Sequence, residues 1–355
     1  MAESALGDEQ AVDPSVVDLD ILRSWMDDGG LGHGELTDVT ALAGGTQNLL
    51  LRFVRDGRTY VLRRPPEHKR KNSDETMRRE ARVLAALAGS DVPHPSMIAA
   101  EADESVLGAA FYLMEAVDGF VAPSGLPELH ASSPEIRHGM GLAFADAAAA
   151  LGAVDHEAVG LGDFGRPDGY LERQVPRWRS QLESYADLGG AWTLDIPHVD
   201  ATADWLEANR PADFDPGIIH GDYHLGNVMY RTDGPELAAV VDWELATIGD
   251  PLLDVGMIMA FWPGDDGEQA GVMSVTPWHG FPTLTEMLDR YRERSTRSMD
   301  SIAWYGVLAC YKTGIILEGT HARAGAGKAP SSIGDLLHAT TVRLFERGAE
   351  IIRRG

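Results

Sequence analysis

The sequence predicts an α+β protein with two lobes: a small N-terminal lobe built on an antiparallel β-sheet, and a larger, mostly helical C-terminal lobe. Three observations predict this class. The chain has 355 residues, which exceeds one typical domain and suits two lobes that share a cleft. Short runs with strand-like alternation lie before residue 118, and segments with helical spacing dominate after it. We expect a disordered leader at 1–15, an N-terminal lobe at 16–117 that ends in a hinge, and a C-terminal lobe at 118–355.

Alternating apolar runs in the N-terminal lobe predict its strands. These runs are Thr37–Leu42, Asn48–Arg55, Thr59–Arg63 and Phe111–Val117. Asp56-Gly57 predicts a tight hairpin turn between the second and third runs. Helical spacing in Ser15–Met26 and Ser73–Ala88 predicts two helices, the second with Ser73 as its N-cap and Gly89 as its stop.

Composition excludes several classes of protein. The net charge of −25 argues against a nucleic-acid partner. No run approaches 18 apolar residues, so we expect no membrane span. The acidic N-terminus lacks the apolar stretch of a signal peptide, and the single cysteine, Cys310, permits no internal disulfide. We therefore expect a cytoplasmic protein.

The most informative stretch runs from Ile218 to Gly256. Val228–Tyr230 and Leu237–Val241 are predicted to pair as a hairpin, which would bring Asn227 and Asp242 close together. With His220 and Asp222, these residues give the order H-x-D-x-x-x-x-N, strand, D of a phosphoryl-transfer site.

Each residue type in this order suits that chemistry. The Asp222 carboxylate can orient an acceptor hydroxyl and take its proton. Asn227 and Asp242 offer the oxygen ligands that Mg²⁺ prefers. We expect His220, Asp250 and Asp254 to be structural.

Two alternatives explain the same residues. One is an ordinary turn-rich hairpin with solvated acids. The other is an H-x-D-x-H metal cluster of His220, Asp222 and His224, completed by Asp242 and Asp250, as in a metal-dependent hydrolase. This second alternative leaves Asn227 and the N-terminal features unexplained.

A glutamate on the predicted helix Ser73–Ala88 needs a cationic partner. Glu80 falls on the apolar stripe of that helix, where a carboxylate requires a positive charge. Arg63, at the end of a predicted strand, is the natural partner; surface pairing with Arg79 or Arg82 is the alternative.

At these residues the chain resembles the aminoglycoside phosphotransferase family, the small-molecule branch of the protein-kinase-like fold. H-G-D at 220–222 stands where protein kinases have H-R-D, and D-W-E at 242–244 stands where they have D-F-G. The similarity extends from about Leu36 to the end of the chain. It implies an enzyme that uses Mg²⁺ and transfers the γ-phosphate of ATP to a hydroxyl of a small molecule.

The resemblance also implies which residues bind the nucleotide. A glycine-rich loop would contain Gly44, Gly45 and Thr46, and Arg63 would grip the phosphates with Glu80 as its partner. The adenine would bind the backbone near Glu115 to Val117, with Met114 behind it. The N-terminal lobe is then the nucleotide-binding lobe, and the C-terminal lobe carries the catalytic and acceptor sites.

The sequence leaves the acceptor open between two classes. Aminoglycosides are polycations, and a surplus of acidic residues would suit them. By contrast, Gly165–Gln181, V-L-R-R-P-P and D-W-E-L-A-T-I-G-D-P look similar to the kinase domains fused to some acyl-CoA dehydrogenases, which implies a hydroxyacyl-CoA. The candidate acceptor residues are Arg173, Arg177, His224 and Glu244, with Arg179 as a further arginine of the same helix. A catalytically idle nucleotide-binding module is the alternative to an enzyme.

Overall fold

The computed structural model describes residues 17–42, 48–263 and 274–354. The leader predicted at 1–15 and the residues Gly44, Gly45 and Thr46 lie outside these ranges. The chain divides into two compact units. The small unit comprises Met1–Asp118 with Ala239–Glu244, and the large unit comprises Gly119–Ala238 with Leu245–Gly355.

The small unit contains a five-stranded antiparallel sheet with strand order β1-β2-β3-β5-β4. Its elements are α1 (Leu19–Asp28), β1 (Thr37–Ala41), β2 (Leu49–Arg55), β3 (Arg58–Arg64), α2 (Ser73–Ala86), β4 (Met97–Glu101) and β5 (Phe111–Glu115). The sheet and the helical content of the remainder confirm the predicted α+β class.

Strand β2 explains why this sheet forms where the alternation predicts it. Every second side chain of β2 is buried, and Leu49, Leu51 and Phe53 pack in one core with Leu22 and Met26 of α1. Period-two burial of this kind fixes the register, because a slip of one residue would turn all three apolar side chains to the other face.

Two details of the small unit differ from the sequence prediction. Ser73 is the first residue of α2 rather than its N-cap; the N-cap is Asn72, and the Ser73 hydroxyl accepts a hydrogen bond from the Arg70 N–H at 3.0 Å. Strand β4 was not predicted, because Met97–Glu101 has no apolar alternation and gains its structure from pairing with β5.

The large unit is mostly helical. Its helices are α3 (Glu128–Ser132), α4 (Pro134–Ala153), α5 (Gln174–Glu183), α6 (Val199–Ala208), α7 (Leu252–Phe261), α8 (Leu284–Arg294), α9 (Ile302–Gly325) and α10 (Ser331–Arg354). Strand β6 (Gly217–Ile219) pairs antiparallel with β9 (Thr247–Gly249), and β7 (Val228–Tyr230) pairs with β8 (Leu237–Val240). No helix within the described ranges is long and apolar enough to cross a membrane.

Helices α7 and α9 approach each other closely at a glycine. The Cα of Gly256 lies so near α9 that a Cβ there would be 2.3 Å from the backbone oxygen of Tyr305. Backbone atoms cannot yield as a flexible side chain can, so this crossing requires glycine.

We predict that Gly256→Ala lowers the free energy of unfolding by about 1–3 kcal/mol, because the added methyl group forces the two helices apart. The matched control is Gly348→Ala in α10, where the atom nearest to a new Cβ would be the Cβ of Cys310 at 3.5 Å. This control should be neutral or slightly stabilising, because alanine has the higher helix propensity. Urea unfolding of both variants is the measurement, and equal effects would contradict the close-approach argument.

Candidate active site

The Asp222 loop, residues 220–227, leaves the end of β6 through a turn that only glycine fits. Gly221 has a φ of 83°, and a Cβ there would lie 2.7 Å from the Leu245 carbonyl oxygen. The buried carboxylate of Asp254 in α7 accepts hydrogen bonds from the N–H of His220 (2.7 Å) and of Gly221 (2.9 Å). The Lys312 ammonium of α9 donates to the Gly221 carbonyl. The N–H groups and the carbonyl of this turn are therefore held by charged side chains from α7 and α9.

Within the loop, Asp222 and Asn227 lie side by side. The Asn227 amide Nδ2 donates to the Asp222 Oδ2 at 3.0 Å and to its backbone oxygen at 2.9 Å. The His224 Nδ1 accepts from the Gly226 N–H at 3.1 Å, so the proton of the neutral ring lies on Nε2, which is 3.3 Å from Asp222 Oδ2. Two groups therefore orient one carboxylate oxygen.

The surroundings of Asp222 keep its carboxylate ionised. Burial acts to raise its pKa, but the His224 hydrogen bond and the electrostatic interactions with His224, Lys312 and His220 outweigh burial and lower the pKa to about 2. The group is consequently an anion throughout the neutral range.

A second polar cluster lies in the small unit and joins β3, α2, β5 and the segment Ala239–Glu244. The Arg63 Nε is 2.9 Å from Glu80 Oε2, and its Nη2 is 2.7 Å from Asp242 Oδ1. The Tyr112 hydroxyl donates to the same Glu80 oxygen at 2.8 Å. The structure thus pairs Glu80 with Arg63, as the helix stripe predicts.

The members of this cluster differ in their exposure to solvent. The Glu80 side chain is 1% exposed, that of Arg63 10%, and that of Asp242 39%. Burial raises the pKa of Glu80, while Arg63 acts in the opposite direction. Asp242 also has a φ of 65°, in the left-handed region that aspartate tolerates better than most residues. An exposed carboxylate on such a backbone is typical of a functional position.

The residues predicted to meet an adenine lie at the end of β5. Met114 and Glu115 are its last two residues, and the Glu115 carboxylate accepts from the Arg58 guanidinium at 2.6 Å. Val117 follows the strand, and its backbone therefore lies beyond the β3–β5 ladder.

The residues of the proposed H-x-D-x-H cluster have other partners. The His220 Nδ1 turns back to the N–H of Asp222 at 3.3 Å, and Asp250 accepts from the Leu252 N–H at 2.9 Å and from the Tyr305 hydroxyl. Among the described residues, the ligand atoms of His220, Asp222 and His224 do not gather within metal-binding distance of one another. The loop geometry therefore supports structural positions for His220, Asp250 and Asp254.

A cavity of about 660 Å³ in the large unit contains the predicted arginines. Its lining includes Arg166, Tyr170, Arg173, Arg177, Thr247 and Ile248. Thr247 pairs with Ile219 of β6, three residues before Asp222, so this wall of the cavity adjoins the strand that leads into the Asp222 loop.

Three of the predicted acceptor residues lie apart from this lining. Arg179 points instead towards Asp200 and Asp204, at 3.8 and 3.7 Å. His224 is engaged with Asp222, and Glu244 follows Asp242 in the small unit.

Sequence reasoning missed Lys312 and Tyr112. Lys312 is a lysine within the apolar stretch Leu308–Ile316, and a cation on a buried helix face always needs a partner, so a signal existed. Tyr112 sits in an alternating strand, where nothing distinguishes a tyrosine with a polar partner from one that only packs.

Three relatives show what the chain is similar to. Acyl-CoA dehydrogenase family member 11 of Gallus gallus is 30% identical over 326 residues, which cover 89% of this chain and 40% of that protein. A Ralstonia eutropha JMP134 protein, provisionally named an aminoglycoside phosphotransferase, has a crystal structure with TM-score 0.77 and 32% identity, covering 94% of this chain and 99% of the other. The aminoglycoside phosphotransferase APH(4)-Ia, in a ternary complex with ADP and hygromycin B, has TM-score 0.56 at 16% identity, covering 94% and 97% of the two chains, and so shares the fold.

The family model described as the phosphotransferase enzyme family, APH, matches residues 38–293. That range contains Arg63, Glu80, Asp222, Asn227 and Asp242. The chain spans less than half of the curated relative to which it is similar. Because the family model covers most of the chain, this protein belongs to the APH phosphotransferase family.

Proposed function

We propose that the protein is an ATP-dependent phosphotransferase that moves the γ-phosphate to a hydroxyl of a small molecule. The observation that carries this proposal is the state of Asp222: an ionised carboxylate, oriented by Asn227 and His224, on a loop held by Asp254 and Lys312. Phosphoryl transfer demands little covalent chemistry from the protein and depends on positioning and charge compensation. The Asp222 carboxylate, which is held in place and can accept a proton, meets that demand.

Asp222 would act on the acceptor. Its carboxylate accepts a hydrogen bond from the acceptor hydroxyl, orients the oxygen towards the γ-phosphorus and takes the proton as the new O–P bond forms, while the bond from the γ-phosphorus to the β-phosphate oxygen breaks and ADP leaves. The Asn227 and His224 hydrogen bonds limit rotation of this carboxylate, so less ordering is needed at the moment of reaction.

The cluster of the small unit would hold the phosphates. Arg63 keeps its positive charge, because its pKa is raised by Glu80, Tyr112 and Asp242 against the effect of burial. Glu80 fixes the guanidinium from the buried side, and a phosphate oxygen would compete with Asp242 for its Nη2. The ADP complex of the structurally similar APH(4)-Ia supports a nucleotide at this fold.

Asn227 and Asp242 each offer a donor type that suits a magnesium ion. Asn227 uses its amide nitrogen to bind Asp222, so its oxygen is the atom that could coordinate a metal, and Asp242 is a partly exposed carboxylate. Hard oxygen donors of this kind are those that Mg²⁺ selects. When bound, the ion would neutralise charge on the phosphates.

We further propose an anionic acceptor, with hydroxyacyl-CoA as the class to test first. Arg166, Arg173 and Arg177 line the 660 Å³ cavity against one acid, Glu172, so its lining carries a positive charge. The Arg173 guanidinium donates to the backbone oxygens of Arg166 and Asp168, and Arg177 lies over the Trp178 ring at 4.7 Å. The similarity to an acyl-CoA dehydrogenase family member supports the same class. An aminoglycoside, the second candidate, would be repelled by this lining.

We predict that Asp222→Asn and Asp222→Ala lower kcat by about 10²–10⁴-fold, because the base and its positioning effect are lost. ATP affinity should change little, since the proposed phosphate contacts lie in the other unit. Turnover and calorimetric ATP binding are the two measurements. Asp233→Asn, which removes a surface aspartate paired with Arg231, is the control and should retain activity. A near-normal kcat for Asp222→Asn would refute the assigned role.

We predict that Asp242→Asn and Asp242→Ala remove the dependence of ATP affinity on Mg²⁺. The substitution deletes the charged oxygen donor but also frees Arg63 from a competing carboxylate, so ATP binding without Mg²⁺ should be retained. Titration of ATP with and without Mg²⁺ separates the two effects. An unchanged metal dependence would place the ion elsewhere, and complete absence of Mg²⁺-dependent ATP turnover in the unaltered protein would favour an idle nucleotide-binding module.

We predict that Arg177→Ala raises KM for a hydroxyacyl-CoA about 10-fold or more, because one charged contact with the acceptor is lost. KM for ATP should not change. Arg179→Ala is the matched control, since it removes a cation from the same helix that does not line the cavity. ADP release is followed with hydroxyacyl-CoAs and with kanamycin-like cations side by side. Turnover of the cations alone, or equal effects of the two substitutions, would overturn the anionic acceptor but not the phosphotransfer itself.

A further inference from the structure

Helices α9 and α10 carry two acid-x-x-His pairs that face each other. The pairs are Glu318 with His321 on α9 and Asp335 with His338 on α10. The helices form an antiparallel hairpin, as shown by the approach of His321 to Gly334 at one end and of Gly306 to Ile351 at the other. Residues three apart share a helix face, so each pair presents both of its side chains to the partner helix.

The side chains converge closely. Glu318, His321 and His338 each offer a ligand atom, and these atoms all lie within 4.8 Å of one another. The His338 Nδ1 is 2.8 Å from Glu318 Oε2, and the two imidazole rings stack with centroids 4.5 Å apart and planes at 27°. The other Glu318 oxygen accepts from the Trp192 indole N–H at 2.7 Å, which fixes the carboxylate.

The charge of this cluster is incompletely balanced within the described residues. Glu318 is fully buried, and a carboxylate removed from water requires a cation. His338 supplies one only when its ring is protonated. The His321 Nδ1 is buried without a hydrogen-bond partner among the described residues, since Asp335 Oδ1 is 3.6 Å away. A buried nitrogen that lacks a donor or acceptor is available to a ligand.

We infer that Glu318, His321 and His338 form a binding site for a divalent transition-metal ion, with Zn²⁺ the best match. Two imidazoles and one carboxylate are a ligand set that zinc takes in proteins, with one position left for water or a further ligand. Asp335 Oδ1 lies 3.6 Å from the same His321 Nδ1 and adds a negative charge beside the site. The histidine side chains are 28% and 24% exposed, so an ion reaches the site from solvent.

This site differs in chemistry from the proposed magnesium site. Nitrogen donors favour zinc and its neighbours over Mg²⁺, which selects oxygen donors. The ion would join Glu318 and His321 of α9 to His338 of α10. It would therefore stabilise the α9–α10 hairpin. Its position does not depend on the identity of the acceptor or of the nucleotide.

The test uses the full chain without a polyhistidine tag, dialysed against a chelator and then titrated with Zn²⁺ by calorimetry. We expect one equivalent to bind, to release protons and to raise the thermal unfolding temperature. Co²⁺ in place of Zn²⁺ should give the visible absorption bands of a low-coordinate site. His321→Ala and His338→Ala should each weaken Zn²⁺ affinity about 100-fold or more and abolish the thermal shift.

The matched control is His138→Ala. His138 Nε2 lies 3.3 Å from Glu286 Oε1, so it is an exposed His–Glu pair with no third ligand among the residues that the structure describes, and its loss should leave Zn²⁺ binding unchanged. Circular dichroism and metal-free thermal unfolding show whether each variant folds. His338→Gln is the alternative if the alanine variant does not. Absence of Zn²⁺ binding in the unaltered protein would overturn the inference, as would binding that survives both His321→Ala and His338→Ala.

Discussion

The geometry of the Asp222 loop depends on the buried carboxylate of Asp254. It lies in the first turn of α7, where the helix dipole favours a negative charge, and it accepts both N–H groups of the turn at Gly221. Lys312 of α9 holds the carbonyl of the same turn. Because Gly256 sets the approach of α7 to α9, helix packing determines where both charged groups lie. A change in that packing would reach Asp222 through the backbone hydrogen bonds of the turn and through the charge of Lys312.

In the small unit, Arg63 holds its neighbours in place as Asp254 does in the large unit. It pairs with one buried carboxylate, Glu80, and one partly exposed carboxylate, Asp242. Glu80 is buried and also bonded by Tyr112, so it is a permanent partner that orients the guanidinium. Asp242 is much more exposed, and its backbone adopts the left-handed region. A cation that binds Asp242 would compete with Arg63 for one carboxylate and leave the Glu80 pair intact. The arrangement therefore separates a fixed structural pair from an exchangeable one.

The sequence predicted those features that arise from periodicity. Alternation in β2 gave the sheet, and the stripe on α2 placed Glu80 against Arg63, because burial of a charge demands a partner whatever the tertiary details. Orientations of side chains were not predictable. The contact of His224 with Asp222 was not predicted, since spacing along the chain does not fix which way an imidazole faces. The Glu318 and His338 contact was missed for another reason: it depends on how α9 and α10 align.

The anionic acceptor proposed above runs against the net charge of the chain, and the short range of electrostatic forces explains how both can hold. The chain carries a formal charge of −25, which by itself favours polycations. Charges on the exposed surface are screened within about 8 Å at physiological ionic strength, so most of the 55 acidic residues have little effect inside a particular cavity. The lining of the 660 Å³ cavity is instead governed by Arg166, Arg173 and Arg177, which would touch a ligand directly and at lower effective dielectric. Three arginines against one glutamate make the charge of this lining positive, and that local charge favours the proposed anionic acceptor.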